Sequence, residues 1–584
     1  MAGRMRSSLH PALVFAAIFV LIFLLHAPLL RLPYFWDEAG YYVPAARDLL
    51  LHGSLIPHTT VSNAHPPFVM AWLALWWKVV GYASVVTRSA MLVLAALSLL
   101  GVFRLAEVVA NTRVAIAATL CTALYPVFFA QSSLAQVDLA AAGLTFWALA
   151  AYFEDRPLVT ALWFCLAVLA KETAVLAPLA LAGWELLGVA AQRHGRAAAL
   201  WTPHGRKLKA FSAFLAPVFV LGVWYVFHYV RTGYVFGNPE FFEYNVASTL
   251  NPVRFVLALV LRLWESFGYM HLWLLTAGML LAMLLPPIKD LGLERRRIAI
   301  PVQSCFLCII ATYVVAMALI GGAVLARYML TAVPLVIIVG AATLYRRLRY
   351  WKLATAVVAA AFIAGWFWNP PYGFSPEDNL AYRDYLILHQ DGERFLEARY
   401  PMAHVLTAWP ASDELTRPWL GFVTRPVQVV RIENFSLDQL LSAAEFRDHF
   451  EVALVFSTKY EPRNRLLDRW TRWTDWKQRF FGFHRDLTPG GAVRVLSGEV
   501  VYSEKRAGQW IAVIEMQRVE WRNAKSSQPR AAAEMAKFSS GSPVLRLEDA
   551  SPQRTQRILS RPLHEVAGMG FDHQPDFPSS FQLK

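Results

Sequence analysis

The sequence predicts a polytopic α-helical membrane protein that carries a soluble α/β domain at its C-terminal end. Three observations support this. Hydrophobic residues make up 57% of the 584-residue chain and charged residues only 16%, against roughly 25% charged in soluble domains. That charge deficit lies before residue 370, where long apolar runs recur between short basic blocks. At Asn369-Pro370-Pro371-Tyr372-Gly373 a cluster of helix breakers ends the pattern, and ordinary soluble charge density follows.

A bilayer core asks for about 20 apolar residues per helix, and on that rule the chain has about eleven spans. They lie near 11–30, 88–108, 114–130, 138–153, 157–170, 173–190, 210–229, 268–287, 299–320, 328–345 and 352–369. The first run lacks a small-residue cleavage site and reads as an anchor. The 21 Trp and 21 Tyr suit a protein with two membrane–water interfaces. Cys121, Cys165, Cys305 and Cys308 all fall in apolar runs, which argues against a disulfide framework. Cys305 and Cys308, one helical turn apart, read as small packing residues.

The net charge of +14 does not point to nucleic acid, because Lys and Arg sit in the connections between spans. One set of connections holds Arg4 and Arg6, Arg104 and Arg113, and the block Arg193, Arg196, Arg206, Lys207 and Lys209. It continues with Lys289, Arg295 to Arg297, Arg346, Arg347, Arg349 and Lys352. The positive-inside rule makes this side cytoplasmic, with the N-terminus inside. An odd number of spans then places the C-terminal domain outside the cell (inner) membrane.

The domain reading is 1–369 for the transmembrane part, 370–520 for the extracytoplasmic α/β domain and 521–584 for a disordered tail. The external loop 31–87 holds two amphipathic stretches, 37–52 and 66–80, and 252–264 is a third. In the soluble part, apolar runs at 404–408, 427–432 and 452–456 alternate with helical segments such as 436–445, as strands and helices of an α/β domain would. The tail is rich in Ser, Gln, Pro and charge.

Candidate chemistry gathers at the outer face. Asp37 and Glu38 stand at the end of the first span, where a low dielectric suits a carboxylate for general-base work; capping the helix that follows explains Asp37 as well. His65 precedes Pro66-Pro67 and serves either as a turn residue or as a ligand. Asp138 is a lone carboxylate between spans, a functional candidate by default. Lys171 and Glu172 form an internal ion pair or present a point charge to a phosphate. Arg327, followed by Tyr328, suits bidentate phosphate recognition or snorkelling to the interface. Separate structural explanations for each residue would not require them all to share one face. No Walker-type loop, HExxH or GxSxG elbow is present, so ATP-driven and zinc-protease chemistry lack support.

At these residues the chain resembles the GT-C glycosyltransferases, in particular the dolichyl-phosphate-mannose–protein mannosyltransferase and aminoarabinose-transferase superfamily of bacterial type. The resemblance covers about 10–370. It rests on Asp37-Glu38 with Tyr41 and Tyr42 behind, His65-Pro66-Pro67, Asp138, Lys171-Glu172, and Arg327-Tyr328 with Pro334. It implies sugar transfer from a polyprenyl-phosphate donor to a lipid, glycan or protein acceptor on the extracytoplasmic side, usually with inversion. Asp37 would then be the catalytic base, Glu38 its orienter and Asp138 the second acidic residue of the cavity. Lys171, Arg327 and His65 would meet the donor phosphate, with Tyr41, Tyr42, Glu172 and Tyr328 lining the cavity. The chain lacks the internal β-trefoil of eukaryotic protein mannosyltransferases and has the C-terminal α/β segment instead, which puts a protein acceptor in doubt. No clean ligand set for a divalent metal is legible, so metal dependence stays open. The alternatives are a transporter or flippase of a lipid-linked saccharide, and a non-catalytic membrane scaffold presenting the C-terminal domain.

Overall fold

The computed structural model describes residues 10–193, 209–246, 249–462 and 469–517. The basic block from Arg196 to Lys207 and the 521–584 tail lie outside the described residues. The chain up to Met516 forms one compact unit, in which a helical membrane part carries a five-stranded sheet.

The membrane part opens with α1 (Pro11–His26), followed by a π-helical turn (Glu38–Tyr42), α2 (Val43–His52) and α3 (Phe68–Val80). Next come α4 (Ser84–Val109), α5 (Thr112–Leu124), α6 (Pro126–Gln131), α7 (Asp138–Phe153), α8 (Pro157–Ala170), α9 (Leu176–Arg193) and α10 (Lys209–Thr232). The rest are α11 (Pro239–Asn245), α12 (Pro252–Phe267), α13 (Leu272–Met283), α14 (Ile300–Leu319), α15 (Val333–Arg347) and α16 (Trp351–Phe367). Among the described residues, five helices are long and apolar enough to cross a bilayer: α1, α4, α9, α10 and α14, each taken with any adjoining turn. The bent pair α12/α13 makes a sixth candidate. Other apolar helices, including α5, α7, α8 and α16, are shorter, at 10–17 residues. The chain is thus a multi-pass membrane protein.

Two of the expected spans are broken, for local reasons. The run 114–130 divides at Pro126, which starts α6 because a proline has no N–H to continue α5. The run 268–287 begins after a 74° bend between α12 and α13, where Met270 and His271 adopt positive φ of 48° and 67°. α12 is also inverted relative to a soluble amphipathic helix. Val253, Val256, Val260 and Leu263 face outward, while Arg254, Arg262 and Glu265 are buried. That distribution suits a helix with lipid on one side and a polar cavity on the other.

α4 has 26 residues, roughly 39 Å at 1.5 Å per residue, and packs closely on α7. An added Cβ on Gly143 would lie only 1.8 Å from Ser98 Oγ, so the two helices meet where α7 has no side chain. Such small-residue contacts take the place of a hydrophobic driving force between helices in lipid.

Beyond the breaker cluster come α17 (Ala381–Arg399), β3 (His404–Ala408), α18 (Ala411–Thr416), β4 (Gln428–Ile432), α19 (Leu437–Glu445), β5 (Val452–Phe456), β6 (Gly498–Arg506) and β7 (Gln509–Met516). In the membrane part, β1 (Lys289–Asp290) and β2 (Leu293–Glu294) form a separate two-residue antiparallel ladder. The sheet order is β4-β3-β5-β7-β6. β3 pairs in parallel with β4 and β5 across helical crossovers, and β5, an unbroken apolar strand, is buried throughout. β7 is antiparallel to both neighbours and follows β6 through Ala507-Gly508, whose positive φ values of 45° and 87° fit a tight hairpin turn.

The sheet part rests on one end of the helices. Tyr82 Oη donates to Trp419 O at 2.9 Å, the Arg47 guanidinium lies 5.0 Å from the Trp419 ring centroid, and Trp36 meets Trp409 edge-on at 5.0 Å.

Candidate active site

The topology explains why distant residues meet. α7 and α8 form an antiparallel hairpin, so Asp138 at the start of one and Lys171 just past the end of the other lie at the same end. The turn following α1 delivers Asp37, and the 3₁₀ turn Ala326–Met329 between α14 and α15 delivers Arg327. All four residues connect through the Arg327 side chain and its neighbours.

The Arg327 guanidinium is the hub. Nη2 donates to Asp37 Oδ2 at 2.5 Å, and Nη1 donates to Glu377 Oε2 at 2.5 Å and to Gln136 Oε1 at 2.6 Å. Nε lies 3.4 Å from Asp138 Oδ2, close enough for an ion pair but without hydrogen-bond alignment. Lys171 Nζ donates to Asp138 Oδ1 at 2.6 Å and sits 4.0 Å above the Tyr328 ring. Gln136 closes the network by donating to Glu377 Oε2 at 2.9 Å. Asp138 is therefore not the isolated carboxylate expected: it holds both cations. Lys171 does not pair with Glu172, which accepts from or faces His65 Nδ1 at 3.0 Å instead.

A cavity of about 930 Å³ opens beside this network. Asp37, Tyr41, Tyr42, His65, Lys171, Glu172, Arg327 and Tyr328 all line it. Asp138 lies just behind Lys171 and Arg327. Asp37 is 26% exposed, and among the described residues Oδ1 has no hydrogen-bond partner, so one oxygen is anchored while the other is available. The Tyr41 and Tyr42 rings stand 5.6 and 5.7 Å from the His65 ring.

Glu38 stands apart and does not line the cavity. Its side chain is fully buried against Arg88 at 3.3 Å and accepts from Phe35 N at 2.7 Å and Ala135 N at 2.6 Å. Arg88 donates in turn to the carbonyls of Leu32, Pro33 and Ser133. This tie fixes the turn that presents Asp37. Nor does Asp37 cap the helix that follows, since its side chain makes no capping hydrogen bond.

Glu377 and Asp378, on the chain entering the sheet part, are cavity residues that the sequence reading missed. Burial pushes the Glu377 carboxyl above its ordinary range against the opposing pull of Arg327. Asp378 is driven well above its range by burial and then by the adjacent Glu377, although it accepts from Tyr269 Oη at 2.7 Å. Also missed were Glu265, paired with Arg262 at 2.8 Å on α12, and a second basic wall of Lys459, Lys477 and Arg485. The first pair sits on a helix whose polar residues look like an interfacial stripe. The second wall comes from the soluble part, more than a hundred residues from any motif. The carboxylates of the cavity converge on a guanidinium rather than on one another. Among the described residues no three metal-ligating side chains cluster here. No step below uses a metal.

Residues 64–229 match the family described as dolichyl-phosphate-mannose-protein mannosyltransferase. A comparison with curated proteins finds no match. Of solved structures, ArnT from Cupriavidus metallidurans bound to undecaprenyl phosphate is similar at 12% identity, covering 86% of this chain and 97% of that one, with a TM-score of 0.49. AglB, an archaeal oligosaccharyltransferase from Archaeoglobus fulgidus in complex with an inhibitory peptide and a dolichol-phosphate, is similar at 13% identity, covering 88% and 75%, with a TM-score of 0.40. Residues 64–229 are thus similar to the family described as dolichyl-phosphate-mannose-protein mannosyltransferase, within the stretch over which the sequence resembles the GT-C glycosyltransferases.

Proposed function

We propose that the chain is a membrane glycosyltransferase that moves a hexosyl or pentosyl group from a polyprenyl-phosphate donor to an acceptor at the extracytoplasmic face, with Asp37 as general base. The observation that supports this best is the state of Asp37. It is a cavity carboxylate held by the cationic hub through one oxygen with the other directed to no protein partner, and its side chain is 26% exposed against 4% for Glu377, which Arg327 holds in the same way. In the reaction, Asp37 Oδ1 takes the proton of the acceptor hydroxyl or amine as that atom bonds to the anomeric carbon. The carbon–oxygen bond to the lipid phosphate breaks, and the phosphate leaves with the electron pair. Lys171 and Arg327, with His65 nearby, stabilise the charge developing on it. Asp138 positions both cations. Three of the five guanidinium N–H groups of Arg327 are committed to Asp37, Glu377 and Gln136 and Nε is buried toward Asp138, which leaves one Nη2 N–H for phosphate.

The outer-face assignment draws on the basic connections at the opposite ends of the helices. It places the N-terminus in the cytoplasm and the sheet part outside the inner membrane. The apolar outer side of α12 next to its polar inner side suits entry of a polyprenyl chain from the lipid. The acceptor is a lipid, glycan or protein whose reactive group reaches Asp37. One observation favours a second reading, transport of a lipid-linked saccharide: the 74° break between α12 and α13, since broken helices are common at transporter binding sites. The deciding experiment is radiolabelled transfer from a panel of polyprenyl-phosphate sugars in vesicles holding the purified protein. Covalent label in an acceptor supports the enzyme. Movement of intact donor across the bilayer with no transfer supports the transporter and overturns the proposal.

A further inference from the structure

A second constellation of ionisable groups lies away from the cavity, between α17 and α18. Tyr385, His389 and Glu393 recur every four residues along α17 and so share one face. Glu414, on α18, meets them from across the gap. His389 Nδ1 lies 2.6 Å from Glu414 Oε2 and 3.5 Å from Glu393 Oε1. The ligand atoms of the three side chains all fall within 4.8 Å of one another. His389 is 1% exposed and both glutamates 0%.

The polar atoms here exceed the partners available. Taken as carboxylates, Glu393 (both oxygens) and Glu414 (Oε1) are buried with no donor although the two side chains lie within hydrogen-bond reach of each other, and Nε2 of His389 is likewise buried without a partner. The Tyr385 hydroxyl, on a residue only 2% exposed, also has none. Its ring stacks on that of His389 at 4.0 Å, and Glu414 and Glu393 are the nearest acting charges on it. Two carboxylates facing each other in an apolar interior require a cation or a shared proton. One imidazole with two carboxylates and a fourth oxygen nearby is a ligand set suited to zinc. Tetrahedral ligand atoms at zinc distances stand about 3.3 Å apart, so the two His389–carboxylate pairs need shift by under about 1 Å.

We propose that His389, Glu393 and Glu414, with the Tyr385 hydroxyl at the edge, form a divalent-cation site of the zinc class that clamps α17 to α18. The clamp braces the active-site turn, because Tyr385 also packs on Trp36 at 5.4 Å and on Phe35 at 5.4 Å, next to Asp37. The site is structural: it lies outside the cavity and all four groups are enclosed.

The test uses the full chain in detergent, dialysed against chelator and then titrated with zinc chloride at micromolar concentration. The expected result is one zinc bound per chain, with a rise in thermal midpoint. Glu393→Gln and Glu414→Gln should each weaken zinc binding at least tenfold and abolish that rise. Glu172→Gln, at the His65 pair, should leave the stoichiometry at one. X-ray absorption of the zinc-loaded wild type should show nitrogen and oxygen ligands only, which keeps the proposal falsifiable where a variant does not fold. No stoichiometric binding, sulfur ligation, or zinc lost in Glu172→Gln and kept in Glu393→Gln would overturn it. So would a Glu414→Gln protein that is more stable than wild type with zinc ignored by both, because the carboxylates would then be held by a shared proton.

Discussion

Replacing Glu38 by Gln separates the two adjacent carboxylates that the sequence treats as one motif. Glu38 and Arg88 are both fully buried and lie 3.3 Å apart. Removing one partner of a buried ion pair costs about 3–5 kcal/mol, chiefly through the charge left behind. Glu38 also accepts two backbone N–H groups, and a glutamine offers one acceptor oxygen where the carboxylate has two. The orphaned N–H adds about 1–3 kcal/mol. Against a total stability of roughly 5–15 kcal/mol, this is a large share. Glu38→Gln should therefore show a sharp fall in monodisperse protein on size exclusion and a lowered thermal midpoint. Removing the charge on both sides, in Glu38→Gln with Arg88→Met, should recover part of the loss. Residual turnover should track the folded fraction. A Glu38→Gln protein of wild-type stability and no turnover would refute this reasoning and return Glu38 to the chemistry.

Asp378→Asn should gain stability relative to wild type in thermal melts as pH rises from about 4 to about 8. The Asp378 carboxyl is raised above its unfolded value by burial, so its contribution to stability is present at low pH and lost as pH rises through the folded value. Lys171→Met should weaken donor binding more than acceptor binding, read by separate titrations, and Lys171→Arg should restore part of it; equal effects on both substrates would count against phosphate contact. Gly143→Ala forces a contact with Ser98 and should cost about 1–3 kcal/mol, visible as a lowered melting midpoint that Ser98→Gly partly repairs. A cysteine at exposed Asp438 should react with an impermeant external reagent in intact cells, and protection there would reverse the topology.

Long apolar runs were legible because a spanning helix must satisfy its own backbone and leaves its composition in the sequence. α1, α4 and α14 were plain on that basis, and β3 and β5 on their short apolar runs. Local chain geometry was harder to see. Pro126 and the positive-φ pair Met270-His271 break runs whose hydrophobicity is continuous. The β6–β7 hairpin turns on Ala507-Gly508, which lacks the Asn-Gly or Asp-Gly signal of such turns. At the site, Asp37, Asp138, Lys171 and Arg327 were found because charge near spanning helices is rare. Glu377 and Asp378 were missed because acidic residues in a soluble-looking segment carry no such signal. Only folding shows them buried beside Arg327. The same limit hid the Glu38–Arg88 tie, whose partner sits within an apolar helix fifty residues away.

The most direct test of the account is sugar transfer by wild-type protein and Asp37→Asn in the same vesicles, with folded protein matched by size exclusion. The asparagine keeps the shape and an acceptor for Arg327 but cannot take a proton at neutral pH. The account predicts donor binding within a few-fold of wild type and transfer lost by about 10²-fold or more. Transfer at the wild-type rate in Asp37→Asn would contradict it.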